Sequence, residues 1–178
     1  MTADGQLVSL GPHHGAALDA FTHSASESSH LHGYGDAQRL GRSASLGDLI
    51  ALFEAQRLGR GLAPGWGPST TWSWEGTGEL RGVISLRHRP TPALEAFGGH
   101  IGHSVASSSR RRGVATVMLR GVLGRCRALD VARVLLTCDG DNRGSARTIE
   151  LNGGQLEREA WHEGTRRMTR WYWIEVPA

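Results

Sequence analysis

The stretch richest in chemical possibility runs from Val105 to Thr116, VASSSRRRGVAT. It reads as the end of a strand, a serine-rich turn and the start of a helix. A helix N-terminus offers backbone N–H groups with no intrahelical acceptor and a partial positive charge, which suits a phosphate or pyrophosphate. Gly113 removes a Cβ from the path of an approaching ligand. Arg110, Arg111 and Arg112 add charged donors for phosphate oxygens. The competing reading is a solvated, arginine-rich helix start. A second group, Asp139 to Asn142, follows the apolar run ARVLLTC (132–138) and opens a short helix that carries Ser145. Ligands of open α/β sheets bind in the crevice at the C-terminal ends of strands. The two turns are therefore expected to share a crevice, unless Asp139 and Asn142 only cap the helix.

His100 and His103 lie on the strand that leads into the first turn. A neutral imidazole near pH 7 is matched to taking a proton from an ammonium. Side chains alternate along a strand, so the two histidines face opposite ways and at most one meets a substrate. His103 shares its face with Val105 and is the preferred base; packing as a half-polar aromatic is the alternative for both. Other groups carry less. His13-His14 and His30-x-His32 have no Cys or carboxylate at zinc-like spacing, so no metal is expected. Trp66, Trp72 and Trp74 suit core or a pocket wall, and Trp171-Tyr172-Trp173 puts aromatics on both faces of a late strand. Cys126 and Cys138 read as reduced, buried thiols of a cytosolic protein. All 20 basic residues are arginine. The absence of lysine excludes a Schiff-base lysine and the lysine of a phosphate-loop NTPase or kinase.

These residues need a scaffold, and 178 residues at 39% apolar and 21% charged, mean hydropathy −0.32, supply roughly one domain with one core. No apolar run approaches the ~18 residues of a membrane span, and the N-terminus lacks a basic, then apolar, leader. The expected location is cytoplasmic. A net charge of +3 without a long basic stripe or interleaved aromatics argues against a nucleic-acid partner. The pattern predicts strands at 6–10, 69–75, 79–88, 99–106, 132–138, 155–161 and 168–176. Helices are expected at 13–26, from Ser45 to about 58, at 111–129 and at 142–151. Residues 27–44 and 59–68 read as loops, and Gly76-Thr77-Gly78 as a hairpin turn. Strand–helix–strand–helix order after residue 99 implies a right-handed crossover with parallel neighbouring strands.

Arg110-Arg111-Arg112-Gly113-Val114-Ala115 resembles the R-x-x-G-x-A acetyl-coenzyme A motif of the GNAT N-acetyltransferase superfamily. Val105, five residues earlier, stands where that family has the strand residue before its pyrophosphate loop. Asn142-Arg143-Gly144-Ser145, followed by Ile149-Glu150-Leu151-Asn152-Gly153-Gly154, resembles the later segment N-x-x-S/A-x-x-x-Y-E-x-x-G-F. The likeness covers about residues 79–176. LRGVISLRH, GHIGHSV, LLTCDGDN and NGGQLE look like a bacterial branch of acetyltransferases.

The resemblance implies an α/β (α+β) fold over 1–178. Its sheet would be mixed, mainly antiparallel, of about seven strands with a splayed parallel pair and about four flanking helices. Residues 1–78 would form the acceptor side and 79–176 the acetyl-coenzyme A core. It implies direct transfer of acetyl from acetyl-coenzyme A to a primary amine, on a small molecule or a protein, by a monomer or homodimer without a metal. The turn from Arg110 through Val114, Ala115 and Thr116 would hold the pyrophosphate. The strand at Ser104–Val105 would pair with pantetheine and offer an oxyanion donor. Asn142 would reach the pantetheine arm and Ser145 the thiol. Two departures matter. Ile149 stands where many relatives carry the tyrosine that protonates the departing thiolate, and Ser107 replaces the proline of the turn. The missing tyrosine raises the alternative of a catalytically silent acyl-coenzyme A-binding protein.

Overall fold

The computed structural model describes residues 4–17, 45–62 and 64–176. Among these, seven strands form two sheets. One contains β1 (Gln6–Val8), β2 (Ser69–Gly76), β3 (Glu79–Arg87) and β4 (Ile101–Val105), in that order. The other orders β5 (Arg133–Asp139), β7 (Arg167–Glu175) and β6 (Gln155–His162), with β7 central. Every ladder within them is antiparallel. The helices are α1 (Leu46–Arg57), α2 (Pro92–Ala96), α3 (Val114–Cys126) and α4 (Arg143–Glu150).

Local chemistry explains most boundaries. Ser45 caps α1 reciprocally: its hydroxyl accepts from the Asp48 N–H at 3.2 Å, and its own N–H donates to the Asp48 carboxylate at 2.8 Å. Thr77 and Gly78 both take positive φ, 54° and 76°, the two-residue turn that matches strand twist in the β2–β3 hairpin. The helix expected over 13–26 starts as a 3-10 turn at Pro12–His14, and its part beyond 17 lies outside the described residues. The helix expected from 111 starts later, at Val114, because Arg111 and Gly113 hold φ of 58° and 81°. It ends at Cys126 and tightens into a 3-10 turn over Arg127–Leu129.

α3 spans both sheets. Met118, Leu119 and Val122 are fully buried and share one core with Ile84, Leu86, Val134, Leu136, Tyr172 and Ile174. Trp72 and Trp74 belong to this core, so neither is a pocket wall. β5 is covered on both faces, which is why Val134, Leu135 and Leu136 form an unbroken apolar run.

The sheets meet at one rung. His100 N–H donates to the Leu135 carbonyl at 2.7 Å, and Leu135 N–H donates to His100 Nδ1 at 2.9 Å. The His100 carbonyl already accepts from Arg87 N–H at 2.8 Å, so the imidazole takes the role a strand carbonyl would have. Gly99 makes the approach possible: its φ is +61°, and a Cβ there would overlap the Leu135 carbonyl. Beyond the rung β4 and β5 run the same way but diverge. A cavity separates Ile101–His103 from Leu136–Asp139, so the parallel neighbours share no continuing ladder.

His100 is therefore a structural residue. Its side chain is buried, 6% exposed, and burial, then Arg87 and Arg133, lower its pKa from 6.5 to about 4. The unfolded chain binds this proton near pH 6.5 and the folded chain near 4. The stability it contributes is complete above about 6.5 and is lost as pH falls from there towards about 4. We predict that urea denaturation of the wild type shows this loss. In His100→Phe the loss over that window should shrink. The whole curve should drop by about 1–3 kcal/mol, because the Leu135 N–H is left buried and unpaired.

Candidate active site

The turn between β4 and α3 forms one wall of a groove of about 520 Å³. Its backbone is shaped by a 3-10 turn at Ser107–Ser109, in which Ser109 N–H donates to the Ala106 carbonyl at 2.8 Å. Ser107 therefore makes the turn without the proline. The left-handed residues Arg111 and Gly113 then reverse the chain and gather successive N–H groups, as in anion-binding backbone nests. The first α3 bond runs from Val117 N–H to the Gly113 carbonyl, so the amides of Val114, Ala115 and Thr116 precede any intrahelical acceptor. A Cβ added at Gly113 meets nothing within 4 Å, so a side chain there would extend into open space.

Arg110, Arg111, Gly113, Val114, Ala115 and Thr116 all line this groove, with Ser104 and Val105 at its strand end. Arg112 does not line it. Arg110 turns back, its Nε donating to the Val105 carbonyl at 3.2 Å, so this side chain also braces the turn. Arg87 N–H bonds the His100 carbonyl and Ala106 N–H bonds the Arg81 carbonyl at 2.9 Å. By strand alternation the even-numbered residues of β4 face β3, while Ile101, His103 and Val105 turn their backbone groups into the gap. Of the Ser104–Val105 pair, Val105 is the one with an N–H on the open side.

A second cavity, about 500 Å³, lies between the splayed strands. Leu94, Phe97 and Gly98 wall it on one side, and Trp66, Arg87, Thr165 and Arg167 ring it. His103, Asn142 and Ser145 line both spaces, which therefore join at these three residues. Asn142 caps α4, its Oδ1 accepting from Ser145 N–H at 3.0 Å. The helix-cap reading of Asn142 and its place in the crevice both hold. Asp139 pairs with Arg167 at 2.7 Å at the cavity rim. Trp66 alone of the early tryptophans reaches the cavity, with the Arg87 guanidinium 5.0 Å from its ring.

The residues that sequence reading missed are Arg87, Phe97, Thr165 and Arg167. They come from separate elements, and no local pattern marks them. Asn152, read only as part of a helix stop, donates from Nδ2 to the carbonyls of Thr116 (3.2 Å) and Thr148 (2.9 Å) and so ties α4 to α3. The fold also brings a carboxylate to the His13-His14 pair: Glu75 lies 3.6 Å from His14 Nε2. His14 Nδ1 lies 2.8 Å from the Gly11 N–H and 3.2 Å from the Gly11 carbonyl, which anchors the ring with Nε2 towards Glu75. The ligand atoms of His13, His14 and Glu75 lie within 4.8 Å of one another, a grouping that the sequence spacing of the histidine pair does not show. His30 and His32 lie outside the described residues.

The family model described as an acetyltransferase (GNAT) domain matches residues 15–155. The chain belongs to the GNAT acetyltransferase family. The GNAT architecture recurs in solved structures of low sequence identity. A ribosomal L7/L12 alpha-N-protein acetyltransferase in complex with coenzyme A superposes with a TM-score of 0.68 at 16% identity, over 98% of this chain and 96% of that one. A microcin C7 self-immunity acetyltransferase in complex with acetyl-coenzyme A and AMP gives 0.67 at 13%, over 98% and 94%. A GNAT acetyltransferase from Streptococcus pneumoniae gives 0.66 at 14%, over 98% and 100%. The search of curated proteins found no match.

Within this GNAT fold, Ile149 is 1% exposed and faces the cavity, one helical turn from Ser145. An isoleucine carries no transferable proton, so Ser145 is the hydroxyl on that helix face. Cys138 also lines the cavity, but burial raises its thiol to about 11, and Cys126 is likewise pushed up to about 11. Both remain thiols at neutral pH and are poor nucleophiles. We predict that iodoacetamide at pH 7.5 leaves both unmodified in the native protein over hours. Mass spectrometry should find both alkylated within minutes once the chain is unfolded in guanidinium.

Proposed function

We propose that the protein is an N-acetyltransferase that moves an acetyl group from acetyl-coenzyme A to the primary amine of an acceptor. The observation that carries this reading is the junction at His103, Asn142 and Ser145. There a groove walled by the backbone amides that precede α3 opens into a cavity between splayed strands. The residues fit the co-substrate. The amides at Gly113–Thr116, with Arg111, suit the pyrophosphate, and the open edge at His103 and Val105 suits an extended amide-bearing arm.

The chemistry assigned to each group follows. The acceptor amine, arriving from the cavity, gives up a proton to His103 and attacks the thioester carbonyl. A C–N bond forms and the oxyanion is held by a backbone N–H of the open β4 edge. The C–S bond then breaks; the sulfur leaves as the thiolate, or takes a proton from a water or from Ser145, whose hydroxyl is restored by solvent, while His103 returns the amine's proton to solvent. Positioning of amine and thioester on opposite sides of the splay supplies much of the rate. No thiol or serine of the site needs to form an acyl-enzyme.

Ile149 is the observation that favours the second reading, a silent acyl-coenzyme A-binding protein. Thiol release with an amine panel separates the two: release dependent on an amine supports the enzyme, and tight binding without release supports the sensor.

Two outcomes are predicted. Gly113→Glu, which places a carboxylate in the groove, should weaken acetyl-coenzyme A binding at least ~100-fold by calorimetry; the strain of its left-handed φ costs roughly 1–2 kcal/mol and should leave the protein folded. Unchanged affinity would remove the pyrophosphate assignment. His103→Gln should lower turnover about 10²-fold and abolish the acidic limb of the pH–rate profile, with co-substrate affinity nearly intact. A persisting acidic limb would return the proton transfer to solvent.

A further inference from the structure

The fold assembles a ligand set that neither cavity uses. The 3-10 turn at Pro12–His14 sets the rings of His13 and His14 side by side, with 3.9 Å between centroids. Glu75, near the end of β2, brings its carboxylate to 3.6 Å from His14 Nε2. His14 is 2% exposed, and its Nε2 has no hydrogen-bond partner. A buried ring nitrogen left unpaired is costly. Two ligands on a tetrahedral zinc, each about 2.0–2.1 Å from the ion, stand roughly 3.4 Å apart, close to the spacing seen here. Gly11 supports the arrangement. A Cβ there would meet the His13 ring at 3.0 Å, so its absence makes room for that ring. Its carbonyl, 3.2 Å from His14 Nδ1, can hold the Nδ1 proton so that Nε2 presents a lone pair, the usual support of a metal-bound histidine.

We propose that His13, His14 and Glu75 bind one divalent transition-metal ion of the zinc class, with water at the fourth position. Two imidazoles and a carboxylate are the donors of such borderline ions, and they lack the oxygens that Ca²⁺ or Mg²⁺ requires. None of the three residues lines the groove or the cavity, so the ion stands outside the acetyl-transfer site, and nothing about it depends on the acetyltransferase reading. Its role is to fasten the N-terminal segment. That segment is otherwise held by β1, a three-residue strand at the sheet edge, and by Arg125 reaching the Leu7 carbonyl at 3.3 Å. An ion shared between the 3-10 turn and β2 closes a long loop, and closing a long loop restricts the unfolded chain most. Ion binding at Nε2 selects the Nδ1–H tautomer of His14 over the one that accepts from the Gly11 N–H at 2.8 Å.

Untagged full-length protein, stripped with a chelator and dialysed, is titrated with ZnCl2 and with CoCl2. Calorimetry should show one equivalent of zinc bound with a Kd of about 1 μM or tighter. Cobalt should give the visible bands of a four-coordinate nitrogen and oxygen site, with no thiolate charge-transfer band. Zinc at a hundredfold excess over Kd should raise Tm by about 5–10 °C. Nitrogen-15 NMR should find His14 in the Nδ1–H tautomer once zinc is bound. Glu75→Gln, on a partly exposed side chain, and His13→Ala, on an exposed one, should each weaken zinc binding at least about tenfold and shrink the Tm gain. Unchanged one-equivalent affinity in either variant overturns the three-residue site. So does a His14 ring that zinc leaves unaltered, or the absence of saturable binding below about 100 μM.

Discussion

The rest of the site depends on the single rung between His100 and Leu135. Two parallel strands emerging from one crossover would ordinarily zip together along their length. Here the first residue of the contact spends its carbonyl on β3 and offers β5 a side-chain nitrogen instead. That substitution ends the ladder after one rung. Beyond it the backbone groups of Ile101, His103 and Val105 turn away from β3 towards the gap, where the Val105 carbonyl accepts from Arg110 Nε. The burial that holds the imidazole neutral is the same burial that lets it stand in for a carbonyl. Gly99 allows the chains to approach, and Arg87 clamps the glycine carbonyls that precede the rung.

From this splay the two halves of the site acquire different characters. On the α3 side the chain concentrates backbone donors by alternating handedness at Arg111 and Gly113, and the arginine side chains around them are secondary; Arg110 is tied back to Val105. On the opposite side, charge is carried by side chains from elements far apart in sequence, Arg87 at the end of β3 and Arg167 at the start of β7. α4 joins the halves. Its cap, Asn142, and its first-turn Ser145 face both spaces, and Asn152 fastens its end to α3. A short amphipathic helix thus sets the distance between the donor-rich turn before α3 and the splayed strands.

Ile149 and Cys138 show how the cavity limits its own chemistry. Both are buried against the α3 core; Ile149 has no transferable proton, and Cys138 stays a thiol rather than a thiolate near neutral pH. His103 on one strand and Ser145 on the facing helix are the protic side chains at the junction of the two spaces.

The sequence by itself determined the local pieces. The period-2 strand patterns, the helix start at Ser45, the Thr77-Gly78 turn and the unbroken run at Val134–Leu136 are short-range signals, and these elements form where the pattern places them, to within a few residues. The R-x-x-G-x-A stretch and Asn142–Ser145 were legible because each is contiguous and a turn's backbone geometry is written in its own residues. What the tertiary structure decided are relations across the chain. His100 reads in sequence like His103, a histidine on a strand; only pairing with Leu135, 35 residues on, makes one a wedge and leaves the other at the junction. The apolar stripe from Val114 to Leu129 predicts the helix over 111–129, whereas the turn imposes left-handed φ on Arg111 and Gly113 and delays its start to Val114. Arg87, Phe97 and Arg167 carry no motif, since a cavity wall assembled from separate elements is specified by packing, and packing has no period to read.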